Sequence, residues 1–149
     1  MKTLKSIIAG LALVLVCSAA TGNNFGLKLR KTNAAEKLTR THAIDIYLDA
    51  MTQGKVSGLN DVLDKSATFN MVIGKKLCSF NKKQMLNYVK NSKNTEQNCT
   101  VHTSIIKSDA KVEIVKVDMK YNNLFRSNYI IIANTGDGWK IANVYSVFS

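Results

Sequence analysis

Two histidines, three cysteines and ten acidic side chains are what this 149-residue chain offers for proton transfer, metal ligation or nucleophilic attack. Their spacing suits little of that chemistry. His42 and His102 stand alone, and no cysteine has a partner at CxxC spacing, so neither a metal nor a cofactor is expected. The sequence has no glycine-rich phosphate loop and no nucleophile elbow. Strand pairing would bring His102 and Asp118 together as an acid–base pair. Asp118, however, alternates with Lys116 and Lys120, the pattern of a solvated face, and His102 shares its face with Thr100, Ser104 and Ile106. His42 falls in the first turn of a helix and is given no role.

The first residues set the compartment. Lys2 and Lys5 precede an apolar run over residues 7–17, broken only by Gly10, and Ser18, Ala19 and Ala20 follow. A basic start, a short apolar core and small residues at the exit describe a secretory signal peptide. It is expected over residues 1–20, with a periplasmic or secreted product. The run is shorter than the roughly 20 residues that span a bilayer, so no membrane span is expected. A buried N-terminal helix is one alternative. A lipid anchor on Cys17 is another, and Val16 argues against it, because a small residue precedes a lipidated cysteine.

Beyond the leader, Cys78 and Cys99 remain, and in an exported protein such a pair is a disulfide candidate. The helix expected between them is roughly 18 Å long, and the residues after it can reach back about 20 Å. A bridge would add about 3 kcal/mol. Two separate buried thiols fit the sequence equally well. The net charge is +11, yet the lysines are scattered, with pairs only at Lys75-Lys76 and Lys82-Lys83. Without an arginine block or aromatic-basic interleaving, a solvated surface is expected rather than a nucleic-acid site.

Periodicity supplies the elements that must position these residues. Residues 21–38 read as a polar arm. From Thr41, the residues Ile44, Tyr47, Leu48 and Met51 share one helical face, and Gly54 is a natural stop. Leu59, Val62 and Leu63 repeat that spacing in a short second helix, with Ser57 or Asn60 as its cap. Ala67, Phe69, Met71 and Ile73 then alternate as a strand, and residues 77–80 return. Asn81 and Gln84 stand at capping-box spacing before a third helix, with Phe80 and Met85 placed as a hydrophobic staple. Four strands follow, over about 100–107, 112–121, 126–134 and 139–147. The second of these changes phase, with Val112 and Ile114 on one face and Val115, Val117, Met119 and Tyr121 on the other, which predicts a bulge or bend. In the last, Trp139, Ile141, Asn143, Tyr145 and Val147 share a face, opposite Lys140, Ala142, Val144, Ser146 and Phe148. Helices followed by hairpin-linked strands predict an α+β fold, three helices on a strongly curved antiparallel sheet with a central pocket.

This order, together with "IYLDAMTQGKVSGLNDVLDKSATF" and "DGWKIANVYS", resembles the nuclear transport factor 2-like superfamily, the cone-shaped α+β fold, over residues 39–149. Its small exported, lumazine-binding-like members are the most similar in size and leader. The resemblance makes Trp139 structural, a ring covering one end of the core beside a glycine turn, with ligand stacking as the alternative. It also implies pairing of two copies. The steroid isomerase branch implies a tyrosine at Tyr47, but its base falls on Met71 and its second acid near Ile131, neither of which moves a proton. The expected function is therefore an exported, non-catalytic, homodimeric domain binding a small apolar or planar ligand. Its site residues would be Tyr47, Phe69, Met71, Tyr88 and Tyr145, with His102 as a polar contact. The alternatives are an isomerase or dehydratase using Tyr47 and His102, and an interaction module working through the sheet face.

Overall fold

The computed structural model describes residues 39–149; the expected signal peptide, Cys17 and the polar arm lie outside them. Helix α1 (Arg40–Gln53) starts where the Thr39 hydroxyl accepts a bond from the His42 amide at 3.1 Å, and it buries Ala43, Ile44, Tyr47 and Ala50. It ends at Gly54, whose φ of 63° is left-handed. Glycine is required there twice over, because a Cβ would also strike the Ser92 carbonyl and come within 2.6 Å of the Asn94 amide. That segment is bonded to the end of α1: the Asn94 amide donates to the Gly54 carbonyl at 3.1 Å, and the Gln97 amide to Thr52 at 2.6 Å.

Helix α2 (Leu59–Val62) is a single turn. It starts from Gly58 at φ 81° without a side-chain cap, so neither Ser57 nor Asn60 serves. Leu63, expected in that helix, instead opens β1 (Leu63–Ile73). After β2 (Lys76–Asn81) comes α3 (Lys82–Asn91), and its capping box forms as the spacing predicts. The Gln84 amide donates to Asn81 Oδ1 at 3.0 Å, and the Asn81 amide to Gln84 Oε1 at 2.9 Å. Strands β3 (Thr100–Ser108), β4 (Val112–Lys120), β5 (Phe125–Asn134) and β6 (Trp139–Phe148) complete the chain.

The fold is α+β. One curled, unclosed six-stranded sheet has the order β2-β1-β6-β5-β4-β3. Every pair is antiparallel except β1 with β6, which is parallel. The core lies on the helix-bearing face, where residues of the three helices meet Phe69, Val117, Met119, Ile130, Ile141 and Val144.

Two bulges differ from the expected registers. Strand β4 does not change phase: Glu113, Val115, Val117 and Met119 all point inward. The buried residue that the apolar pattern hides is Glu113, whose carboxylate meets Arg40 at 3.1 Å and accepts from the Ser108 hydroxyl at 2.6 Å. The extra residue sits on the neighbouring strand, at Ile106. A second bulge places Ala142 between Ile141, which pairs with Ile132, and Asn143, which pairs with Ile131. It reverses the faces of everything after it in β6. Trp139 packs against the core, and the Arg40 guanidinium lies 4.1 Å from its ring centre and also donates to the Asp109 carbonyl at 2.8 Å. Helix α1, β3, β4 and β6 are thereby tied together at one end of the sheet.

Candidate functional site

The registers define two neighbouring rows on the helix-bearing face. Val101, Met119, Arg126 and Phe148 form one; Thr103, Val117, Asn128, Ser146, Met71 and Cys78 form the next. The inner part of these rows is closed, with Asn128, Val117 and Met119 fully buried. The outer part is not, since Phe148 and Arg126 are half-buried and Val101 is exposed. The two rows are therefore open to solvent at the end of the sheet away from Trp139, the mouth of the helix-bearing face.

A polar network lines this mouth. Arg126 Nε donates to Asn128 Oδ1 at 2.8 Å, and its Nη2 to the Ser146 hydroxyl at 3.2 Å. Ser146 in turn donates to Asn128 Oδ1 at 2.6 Å. The Asn128 amide nitrogen and the Tyr121 hydroxyl each lie 3.8 Å from the Met119 sulfur. The Arg126 guanidinium sits over the Phe148 ring at 5.4 Å. No carboxylate pairs with Arg126 among the described residues.

Tyr47 is buried close to Arg126. Its phenol is pushed up by burial and by nearby Tyr121, while the positive charge of Arg126 opposes the rise. Tyr121 is raised by burial and then by its neighbour Cys99, with Tyr88 adding to the effect. Both phenols keep their protons at neutral pH and can donate. Val101 also lines a groove of ≈ 310 Å³ together with Asp45, Leu48, Asp49 and Thr52 of α1. Burial and the charge of Asp49 raise the Asp45 carboxyl, against the influence of His42.

The expected site residues divide. Tyr47 is buried in the core close to Arg126, and Met71 stands beside Ser146 in the second row. Tyr88 stands on the rim, largely exposed on α3 and close enough to influence Tyr121. Phe69 lines no open space; it is packed in the core. Tyr145 and His102 lie on the other side of the sheet. The Ala142 bulge turns Tyr145 outward, where it pairs with Tyr129. His102 does pair with Asp118, but on the outer face. There burial would raise the Asp118 carboxyl, and hydrogen bonds from Ser127 at 2.5 Å and Lys116 at 2.9 Å outweigh it and hold it low, with Lys116 and His102 adding positive charge. Tyr47 and His102 are thus separated by the sheet and form no catalytic pair. Ile131 also faces outward, opposite Asn143. Cys78 and Cys99 are free thiols: Cys78 pairs with Met71 on β2, while Cys99 contacts Tyr121.

Sequence reasoning missed Arg126, Asn128, Ser146, Phe148 and Tyr121. The available signal was "RSN", which puts two polar side chains on the same alternation as Ile130 and Ile132. Polar residues at inward positions are costly without partners, so the pair marks a site. Ser146 and Phe148 were hidden by the bulge. Among the described residues no three potential ligands gather as a metal site, and no helix is long and apolar enough to cross a membrane.

The model of a family described as "Putative lumazine-binding" matches residues 35–146. A search of curated proteins found no match. Among solved structures, an NTF-2-like protein of unknown function from Silicibacter pomeroyi is similar at a TM-score of 0.62 and 13% identity, over 73% of this chain and 92% of that one. One from Shewanella baltica gives 0.59 at 9% identity, over 73% and 90%. One from Methylobacillus flagellatus gives 0.54 at 18% identity, over 73% and 88%. At these identities the likeness is one of fold.

Proposed function

The chain belongs to the family described as putative lumazine-binding and has the NTF2-like fold, and on that premise we propose that it is an exported, non-catalytic domain that binds a small planar ligand at the mouth and pairs with a second copy of itself. One observation carries the reading. Arg126 is a half-buried cation without a carboxylate partner among the described residues, set over Phe148 and close to Tyr47. A guanidinium stacks on aromatic faces and offers a fork of N–H groups to acceptors in its plane. Asn128 and Ser146 take up two of those groups, and the remainder can meet a ligand. Lumazine is a ligand of this kind, a flat two-ring heterocycle with carbonyl acceptors in the ring plane. Half-buried Tyr121 supplies a further donor. Export rests on the leader read in the sequence. The non-catalytic reading rests on Met71, which falls where the resemblance to the steroid isomerases implies a base and has no proton to exchange.

The test is a titration with lumazine, followed by its fluorescence. Saturable binding is expected. Arg126→Gln should weaken it about tenfold or more, since a hydrogen bond to a charged group contributes about 1.5–3 kcal/mol. Failure of lumazine to bind, or undiminished binding by a folded Arg126→Gln variant, would overturn the reading.

A further inference from the structure

Where the start of β1 meets α3, the surface opens into a cleft of ≈ 620 Å³ whose lining includes Asn60, Lys65, Lys82, Lys83, Asn87 and Lys90. Among the described residues no carboxylate lines it. An adjoining cleft of ≈ 560 Å³ shares Asn60, Lys65 and Lys82 and adds Lys140 together with Asp61, Asp64 and Asp137. None of the mouth residues lines either cleft.

Lys82 stands where the two clefts join. Its ammonium donates to the Asn60 carbonyl at 2.7 Å and to the Leu63 carbonyl at 2.9 Å. It is half-buried, and it forms no ion pair among the described residues. The charge is thus fixed in place without being neutralised. On α3, Lys83, Asn87 and Lys90 follow at helical spacing on the side away from buried Met85 and Val89. Gathering four like charges around one hollow costs folding energy. An entering anion offsets that cost.

The side-chain types narrow the anion. Lysines bind phosphate as compact point charges placed around it, without the planar fork that arginine offers to carboxylate and phosphate alike. All four cations here are lysines. The asparagine amides supply both donors and acceptors, as the neighbouring hydroxyls of a sugar require. The cleft falls within the roughly 300–1,000 Å³ of small-molecule sites, more than a phosphate alone fills. We infer that this lysine–asparagine cleft binds a soluble phosphorylated mono- or disaccharide, at a site separate from the mouth.

The experiment titrates the full chain at low salt with glucose 6-phosphate, and in parallel with inorganic phosphate and with glucose, following the side-chain amide resonances of Asn60, Asn81 and Asn87. Glucose 6-phosphate should shift them and bind several-fold tighter than inorganic phosphate, and glucose alone should not. The double variant Lys83→Gln/Lys90→Gln removes two exposed side chains that make no side-chain hydrogen bond among the described residues, so its thermal midpoint should stay unchanged. Its affinity should fall about tenfold or more, as expected for lost charge-assisted contacts. Arg126→Gln should leave this binding intact, which separates it from the mouth. Resonances that stay still, inorganic phosphate binding as tightly as the sugar phosphate, or a double variant that binds as the parent does, would each overturn the inference.

Discussion

Asp118 carries two messages that the sequence keeps in balance. Its strand neighbours, Lys116 and Lys120, mark a solvated face, and its expected partner across the ladder is His102; both are true of the fold. The pair is therefore a surface feature, and its effect is on stability. The Asp118 carboxyl sits below its ordinary value of 3.8, because the bonds from Ser127 and Lys116 outweigh its partial burial. A carboxylate held lower in the folded state stabilises the fold fully above its unfolded value, and that contribution is lost as pH falls through the folded value. Asp118→Asn should therefore lower stability near neutral pH and flatten its decline in acid. Unfolding by denaturant at about pH 7 and about pH 3 measures this. If variant and parent lose equal stability between the two pH values, the carboxylate is not held as described. The mouth was less legible at this scale. Tyr47 and Met71 could be placed by helical and strand spacing, but Arg126 draws its meaning from Phe148 and Ser146, which reach it from a strand some twenty residues away.

At the scale of elements, the helices and all six strands could be read because their periods are clean and their caps are local. Gly54, the Asn81–Gln84 box and the glycine turn before Trp139 all act within a few residues of themselves. Bulges are different. Whether a strand takes in one extra residue depends on the register of its neighbour, which a single strand's alternation does not contain. Alternation put Tyr145 with Ile141; the Ala142 bulge exchanges it for Val144, Ser146 and Phe148. The same holds for Glu113, which reads as a break in an apolar face until Arg40 arrives from helix α1. The bulge is thus a determinant of both core and mouth. Deleting Ala142 should turn Val144, now 1% exposed, toward solvent and remove Ser146 and Phe148 from Arg126. Exposing one such side chain costs about 1.5–3 kcal/mol, and the lost polar network adds to it. The expected outcome is a large drop in the unfolding midpoint together with loss of lumazine binding. A deletion variant that kept both would show that β6 tolerates straight alternation.

At the scale of the whole molecule, the helices among the described residues lie on one face of the sheet, and the outer face carries Phe125, Tyr129, Tyr145 and Val147, each 37–39% exposed. Tyr129 and Tyr145 are directly opposed, and Val147 pairs with Ser127 in the next row. Lys116 reaches toward the Tyr129 ring at 6.0 Å, and Asp118 holds its ammonium, so the patch is apolar with its charges paired. A second copy offers the same surface in return, and a twofold arrangement would cover it with about 800 Å² from each partner. The charge of +11 opposes such pairing, because two copies repel one another. Added salt screens that repulsion, so pairing should tighten with ionic strength while binding of a phosphorylated sugar by the lysine cleft weakens. Light scattering across a salt series should give twice the chain mass for the parent. Tyr145→Lys, which places a new cation beside Lys116 and its symmetry mate, should give a folded monomer. A parent protein that remains monomeric at high salt and high concentration, or a Tyr145→Lys variant that pairs as well as the parent, would remove the outer face as the surface of association.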